Sequence, residues 1–330
     1  MSRLDTPAQT RPETPPTETQ PTETHPTETR PTETQPTEAE TVANGAPERA
    51  APARRGTAGG TLRLLGSELG LTFRRPRNIA MLAVLAAVPV IIGVVLRVVS
   101  DDGAEGGAGS IITAVAGNGM MLTFAALFVL VPLLLPVAVA VVAGDSVAGE
   151  AGMGTLRYLL AAPAGRTRLL AVKYANAVVF GLAATALVAA SALITGFLLF
   201  PVGPITLLSG STIPLAEGLV RVLVAVGYVA AGMAALAALA LLLSTLTEIS
   251  IGAIAATLVL VVVTQVLGAI PQLAPVEPYL LPSWWLGFDG ALRAPMALDD
   301  MGQGLLVFAA YAVVCGSAAW ARFTTKDITA

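Results

Sequence analysis

Residues 175–200 read ANAVVFGLAATALVAASALITGFLLF, a run of 26 residues without a charged side chain. A transmembrane helix needs about 20 predominantly apolar residues to cross the hydrocarbon core of a bilayer. Runs of similar character occur at five more places, which are residues 79–98, 120–143, 218–244, 250–270 and 304–321. These runs are uniformly apolar, whereas the strands of a membrane barrel alternate between apolar and polar residues. The sequence therefore predicts an all-α integral membrane protein with six transmembrane helices.

The overall composition supports the same class independently. Apolar residues make up 55% of the 330-residue chain and charged residues only 12%, with a mean hydropathy of +0.74. A soluble domain typically carries about 25% charged residues, so this chain has too little charge to cover a soluble surface. Its one cysteine, Cys315, lies in an apolar run. We therefore predict neither a disulfide framework nor a metal site.

Polar residues and prolines inside the runs predict local features of the helices. Pro89 lies in the first run, and Pro132 and Pro136 lie in the second. Proline has no N–H to donate within a helix, so kinks or local breaks are expected there. Uncharged polar residues near mid-span, such as Asn176 and Gln265, are expected to form hydrogen bonds between helices.

The first 57 residues differ from the rest of the chain. Residues 16–40 are a pentapeptide repeat, PTETQ-PTETH-PTETR-PTETQ-PTEAE. A proline at every fifth position prevents a continuous helix, and almost nothing apolar is available to bury. We predict a disordered N-terminal tail over residues 1–57. It is a passive extension or, as the alternative, an interaction arm.

An amphipathic helix is predicted over residues 58–77, directly before the first span. Apolar side chains recur there at helical spacing, at Leu62, Leu65, Leu69 and Phe73. Three bases follow, which are Arg74, Arg75 and Arg77. A helix of this kind suits the inner membrane interface, where lipid contacts its apolar face and anionic headgroups attract its bases. An ordinary soluble helix is the alternative.

The bases also predict the orientation of the chain. With both termini in the cytoplasm, ten Lys and Arg residues of the 58–330 region fall on the cytoplasmic side and three, Arg97, Arg221 and Arg293, fall on the other. Short cytoplasmic loops carry an excess of Lys and Arg. The sequence therefore predicts a multi-pass protein of the cell membrane with both termini cytoplasmic.

The connector between the second and third spans is unusually elaborate. Residues 144–173 read GDSVAGEAGMGTLRYLLAAPAGRTRLLAVK. Thr155 is suited to cap a new helix, and Pro163 is suited to stop it. Between them, Leu156, Leu159 and Leu160 share one helical face. We predict a short amphipathic helix that docks on a cytosolic partner; periodicity alone equally allows a helix that touches only lipid.

This connector resembles the first cytoplasmic loop of type-two ATP-binding-cassette (ABC) permeases. The similarity is carried by Glu150, Gly154, Thr155, Leu156, Leu159, Leu160, Pro163, Arg166, Leu169 and Lys173. The resemblance implies a permease domain over residues 78–330, with a coupling helix in the 144–173 loop. It implies that the residues contacting the ATPase are Glu150, Gly154, Thr155, Leu156, Arg157, Leu159, Leu160, Pro163 and Arg166.

Further expectations follow from the same resemblance. The partners would be a cytosolic ABC ATPase subunit, which binds the ATP, and a second permease subunit, giving a homodimer or a heterodimer. The extracellular loop at 271–303 would hold a short helical hairpin, where Trp284 and Trp285 suit the headgroup region. The function implied is an ABC exporter of an apolar or amphipathic substrate.

The chain has no motif for chemistry of its own. It contains no G-x-x-x-x-G-K-[ST], H-E-x-x-H or G-x-S-x-G sequence, and its only lysines are Lys173 and Lys326. We therefore predict a transport subunit that is not an enzyme, with no catalytic residue, no bound cofactor or metal and no nucleic-acid partner. Two alternatives stay open, a membrane-anchored assembly or sensor protein with a non-ATPase partner, and a stand-alone secondary carrier. The lack of ionisable groups at mid-span argues against the carrier.

Overall fold

A computed structural model describes residues 58–101, 115, 117–153, 165–207 and 210–325. The predicted tail and the predicted coupling helix, which falls within residues 154–164, lie outside the described residues. Within the described part, six helices are long and apolar enough to cross a membrane. The chain is thus a predominantly helical protein, and these six helices indicate a multi-pass membrane protein.

The helices follow one another along the chain in the order of the predicted runs. Their bounds are α1 Ala58–Arg74, α2 Pro76–Asp101, α3 Met121–Leu130, α4 Leu134–Gly152, α5 Arg166–Leu199, α6 Leu215–Leu246, α7 Ser250–Gly268 and α8 Leu298–Thr325. Several extend beyond the apolar runs, because polar flanking residues continue the same helix. The 144–173 loop is therefore helical on both sides of the 154–164 segment.

The amphipathic helix α1 ends at Arg74, and Arg75 separates it from α2. The division follows from Pro76, whose ring fixes φ and suits the first position of a new helix. Phe73 lies against Phe180 of α5, with ring centroids 5.7 Å apart, so α1 is attached to the bundle by its last turn. Leu62 is 69% exposed and is available to a membrane surface.

The second predicted span is two helices, as its prolines indicated. A turn at residues 131–133 separates α3 from α4, while Pro136 lies in the first turn of α4. Pro89, in contrast, lies inside the uninterrupted helix α2. The predicted break is confirmed at Pro132 and no break occurs at Pro89.

Helix α6 is the centre of the bundle. Its most apolar window is 61% buried, against 17% for the windows of α2 and α7. It packs on α4, α5, α7 and α8. Small residues allow this, since a Cβ atom at Gly232 would lie 3.0 Å from Trp285 and 3.1 Å from Phe308.

Two short elements depart from an all-helical protein. Ile205–Thr206 and Thr212–Ile213 pair as an antiparallel ribbon between α5 and α6. These four residues are all β-branched, which favours strands. Gly210, with φ of +79°, lies in the turn that joins them.

Residues 271–292 form four short 3-10 helices between α7 and α8, namely Pro271–Leu273, Glu277–Tyr279, Leu281–Trp284 and Gly287–Leu292. The last two of them fold back on α6 and α8. Trp285 is consequently only 2% exposed, in contact with the core instead of facing outward at an interface. Tyr228 of α6 donates a hydrogen bond to the Trp284 carbonyl at 2.8 Å.

Candidate functional site

The most polar part of the bundle is the end at which α4 leaves and α5 enters. We call it the Asp145 end; the 3-10 helices lie at the other end, which we call the Trp285 end. Polar groups from seven helices meet at the Asp145 end. This end also flanks the predicted coupling helix.

Asp145 of α4 connects three helices. Its Oδ2 accepts hydrogen bonds from Arg75 Nη1 at 2.8 Å and from Arg77 Nη2 at 2.7 Å, and Ser250 Oγ donates to Oδ1. The carboxylate side chain is 14% exposed, while the two arginines are about half exposed. Charge-assisted hydrogen bonds of this kind are shorter and stronger than neutral ones. The start of α2 and the start of α7 are thereby both attached to α4.

Glu150, one turn further along α4, pairs with Lys173 of α5. The Lys173 Nζ to Glu150 Oε1 distance is 2.5 Å, and the lysine side chain is only 2% exposed. A buried ammonium requires a compensating carboxylate, because its hydration has been removed. This pair therefore holds the end of α4 against the start of α5.

A neighbouring amide cluster attaches the amphipathic helix. Asn176 Nδ2 of α5 donates to Thr72 Oγ1 at 2.9 Å, and Asn78 Nδ2 of α2 donates to the Thr72 carbonyl at 2.8 Å. All three side chains are buried. They line, with Asp145 and Lys173, a cavity of about 70 Å³. The prediction that Asn176 bonds between helices is confirmed.

Ser244 of α6 makes the closest polar contact between α6 and α4. Its hydroxyl donates to the Gly144 carbonyl at 2.7 Å and accepts from the backbone N–H groups of Val147 and Ala148 at 3.2 and 2.9 Å. The side chain is fully buried. This hydroxyl thus fixes the position of α6 along the axis of α4.

We expect Ser244→Ala to destabilise the protein by about 1–3 kcal/mol, because three buried hydrogen bonds between α6 and α4 are lost and each contributes about 0.5–1.5 kcal/mol. Thermal unfolding in detergent measures the change. Ser317→Ala is the matched control, since the exposed Ser317 hydroxyl bonds only within its own helix, to Val314. Equal unfolding midpoints for the two variants would contradict the prediction.

The start of α5 is also attached to the end of α8. Arg166 Nη1 donates to the Thr324 carbonyl at 3.1 Å, and Trp320 Nε1 donates to Thr167 Oγ1 at 3.0 Å. Consequently both helices that flank the 154–164 segment are bonded to other helices at this end. Glu150 bonds the end of α4 to Lys173 of α5, and Arg166 bonds the start of α5 to Thr324 of α8.

Of the predicted coupling residues, the structure describes two, Glu150 and Arg166. The others lie outside the described residues; they are Gly154, Thr155, Leu156, Arg157, Leu159, Leu160 and Pro163. Sequence reasoning did not identify the partners of Asp145, nor the Glu150–Lys173 pair. One weak signal for these contacts is present in the sequence, namely acids and bases near the ends of neighbouring spans.

The contacts of this site join several helix ends to one another. Among the described residues, no group of three or more His, Cys, Asp or Glu side chains is placed to hold a metal ion. Its acids are paired with arginine, lysine and serine across helix boundaries. Displacement of one helix end at this site would therefore move its neighbours.

Comparison with known proteins adds one relationship. No curated protein matches the chain. A family described as "Protein of unknown function (DUF2705)" matches residues 108–329, which include α3 to α8 and the residues Asp145, Glu150 and Lys173. Because this match spans more than half of the chain, the protein belongs to the DUF2705 family.

Proposed function

We propose that this protein is the transmembrane permease subunit of an ABC exporter of the type-two class. Two such subunits, identical or related, would act with two cytosolic ATPase subunits that bind and hydrolyse the ATP. The observation that carries the proposal is the bonding of both flanks of the 154–164 segment, Glu150 to Lys173 and Arg166 to Thr324. A partner that pushes on this segment would act on helices already coupled to the bundle.

The contacts at the Asp145 end would transmit a displacement of the 154–164 segment to other helices. Helix α4 is bonded to α2 and α7 through Asp145 and to α6 through Ser244. Rigid-body motion of α4 would therefore reach the central helix α6 without any covalent chemistry. In this proposal the motion of the spans, and not a reaction, moves the cargo outward.

The distribution of charge supports a cytosolic Asp145 end. Eight bases among the described residues lie toward it, which are Arg63, Arg74, Arg75, Arg77, Arg166, Arg168, Lys173 and Arg322. Three lie toward the Trp285 end, which are Arg97, Arg221 and Arg293. The positive-inside rule places the richer side in the cytoplasm. Both termini would then be cytoplasmic, in the cell membrane.

The middle of the bundle supports an apolar or amphipathic cargo. In the described parts of the six long helices, every Asp, Glu, Lys and Arg lies within about two turns of a helix end. Ion-coupled carriers usually place an ionisable group near mid-membrane. The energy for transport would accordingly come from the ATPase partner.

Docking is tested by co-purification of the tagged protein with its neighbouring gene products, followed by an ATPase assay. We expect the double variant Leu159→Asp/Leu160→Asp to insert normally and to lose the ATPase, because two charges replace the apolar face. Ala161→Asp/Ala162→Asp is the matched control, since these neighbours lie on the opposite face of the predicted helix and should retain the ATPase.

Retention of the ATPase by the leucine double variant would overturn the docking site. If wild-type protein inserts but binds no ATPase, the assembly or sensor alternative replaces the permease proposal. Transport that follows an ion gradient without any ATPase would instead identify a secondary carrier.

A further inference from the structure

We propose that residues 131–133 form a hinge in the second span and that Gln265 of α7 is its positioning residue. The hinge itself is argued from the structure; its use in transport rests on the function proposed above. Helix α3 ends at Leu130 and α4 begins at Leu134. Leu133, between them, has φ of −135° and ψ of −59°, outside the helical region.

Two prolines four residues apart cause the break. In an α-helix each carbonyl accepts a hydrogen bond from the N–H four residues later. Pro132 therefore leaves the carbonyl of Phe128 without its helical donor, and Pro136 does the same to the carbonyl of Pro132. Two bonds on successive turns are lost, which weakens the helix at this place more than either proline alone.

Gln265 replaces one of the two missing donors from another helix. Its Nε2 lies 2.7 Å from the Pro132 carbonyl oxygen, so the amide stands where the N–H of residue 136 would have been. In hydrocarbon, no water is available to satisfy a free carbonyl, and each unsatisfied backbone group costs several kcal/mol. The side chain of α7 therefore completes the backbone hydrogen bonding of the second span.

The two parts of the span have different neighbours. Helix α3 packs on α5 and α2, whereas α4 packs most on α6 and α7 and less on α5 and α2. The break thus lies where the main neighbours of the span change. A helix whose main partners differ on either side of a weakened turn can bend there while both sets of main contacts are kept.

The structure accordingly assigns distinct tasks to the two parts. Helix α4 carries Asp145 and Glu150 and moves with the Asp145 end, which includes the start of α5, while α3 keeps its own contacts with α5 and α2. Because Gln265 bonds to the Pro132 carbonyl within the hinge, α7 moves with residues 131–133 when α4 tilts. Its amide fixes the resting angle between α3 and α4.

The angle can be measured by pulsed electron paramagnetic resonance on the full chain alone, in lipid nanodiscs. Spin labels are placed at Met121 of α3 and Ala151 of α4, in a Cys315→Ser background that removes the native thiol. The two positions are about 45 Å apart for a straight helix, from a rise of about 1.5 Å per residue. The readout is the width and centre of the distance distribution.

We expect Gln265→Leu to broaden the distribution, because the Pro132 carbonyl loses its donor. Adding Pro136→Ala should narrow it again, since an alanine at that position supplies a backbone N–H to the same carbonyl. Thr264→Val is the matched control: the Thr264 hydroxyl bonds only within its own helix, to Leu260 and Val261, so its loss should change nothing.

Two results would overturn the hinge. One is a Gln265→Leu distribution identical to that of Thr264→Val; the other is a broadened distribution that Pro136→Ala does not restore. Neither measurement requires a partner protein, so failure of the ATPase to bind would refute the proposed function and leave the hinge intact. With the ATPase bound, a non-hydrolysable ATP analogue should shift the centre of the wild-type distribution, and an unchanged centre would overturn the role of the hinge in transport.

Discussion

Replacing Glu150 with alanine is expected to destabilise the protein by about 3–5 kcal/mol. Lys173 is 2% exposed, and its ammonium would lose the carboxylate that lies 2.5 Å away. Breaking a buried ion pair by removing one partner leaves an uncompensated charge, which is the costly case. Thermal unfolding in detergent measures the loss, and co-purification of the ATPase shows whether the flank of the 154–164 segment is also disturbed.

The control removes both charges together. In Glu150→Leu/Lys173→Met the helices α4 and α5 keep side chains of similar volume, and apolar replacement of a buried pair is often close to neutral. The double variant should therefore unfold near the wild-type temperature. If Glu150→Ala were as stable as the double variant, the pair would not be the contact that holds these two helix ends.

Replacing Arg221 with methionine is expected to release the 271–292 segment. Arg221 Nη1 donates to the carbonyls of Ala291 and Arg293, both at 2.7 Å, and its other nitrogens bond Glu217. Hydrogen bonds to a charged group contribute about 1.5–3 kcal/mol each, so losing two of them should cost about 3 kcal/mol or more. We expect faster proteolysis within the segment and a lower unfolding temperature.

Arg293 provides the matched control for that experiment. It pairs with Asp289 four residues earlier and is 54% exposed. Exposed pairs of this kind contribute about 0.2–1 kcal/mol. Arg293→Met should consequently leave proteolysis near the wild-type rate. Equal cleavage of the two methionine variants would show that Arg221 does not secure the segment.

The spans and the broken second span were predictable because each depends on local chemistry. Length and apolar character decide whether a helix can cross a bilayer, and they are read directly from runs such as residues 175–200. The missing N–H of Pro132 is equally local. Pro89 shows the limit of that reasoning, since the same residue type inside α2 leaves an uninterrupted helix.

The site was only partly predictable because its contacts are distant in sequence. Asp145 and Arg75 are 70 residues apart, and Ser244 bonds Gly144 across 100 residues. In the sequence alone, Asp145 is one of several acids near span ends. Which acid meets which base depends on how α2, α4 and α7 pack, and the apolar pattern does not fix that packing. Trp285 is a similar case, because its burial depends on the 3-10 helices folding back on α6.

The tryptophans give the protein an intrinsic fluorescence that reports on both ends of the bundle. Trp285 is 2% exposed inside the bundle, while Trp320 is 47% exposed and bonds Thr167 at the opposite end. Indole emission shifts to shorter wavelength in apolar surroundings, so the two ends should emit at different wavelengths. Trp320 is also the more accessible of the two to an added quencher, because its side chain is less buried. Loosening of the Asp145 end and of the Trp285 end could then be followed separately, without any added label.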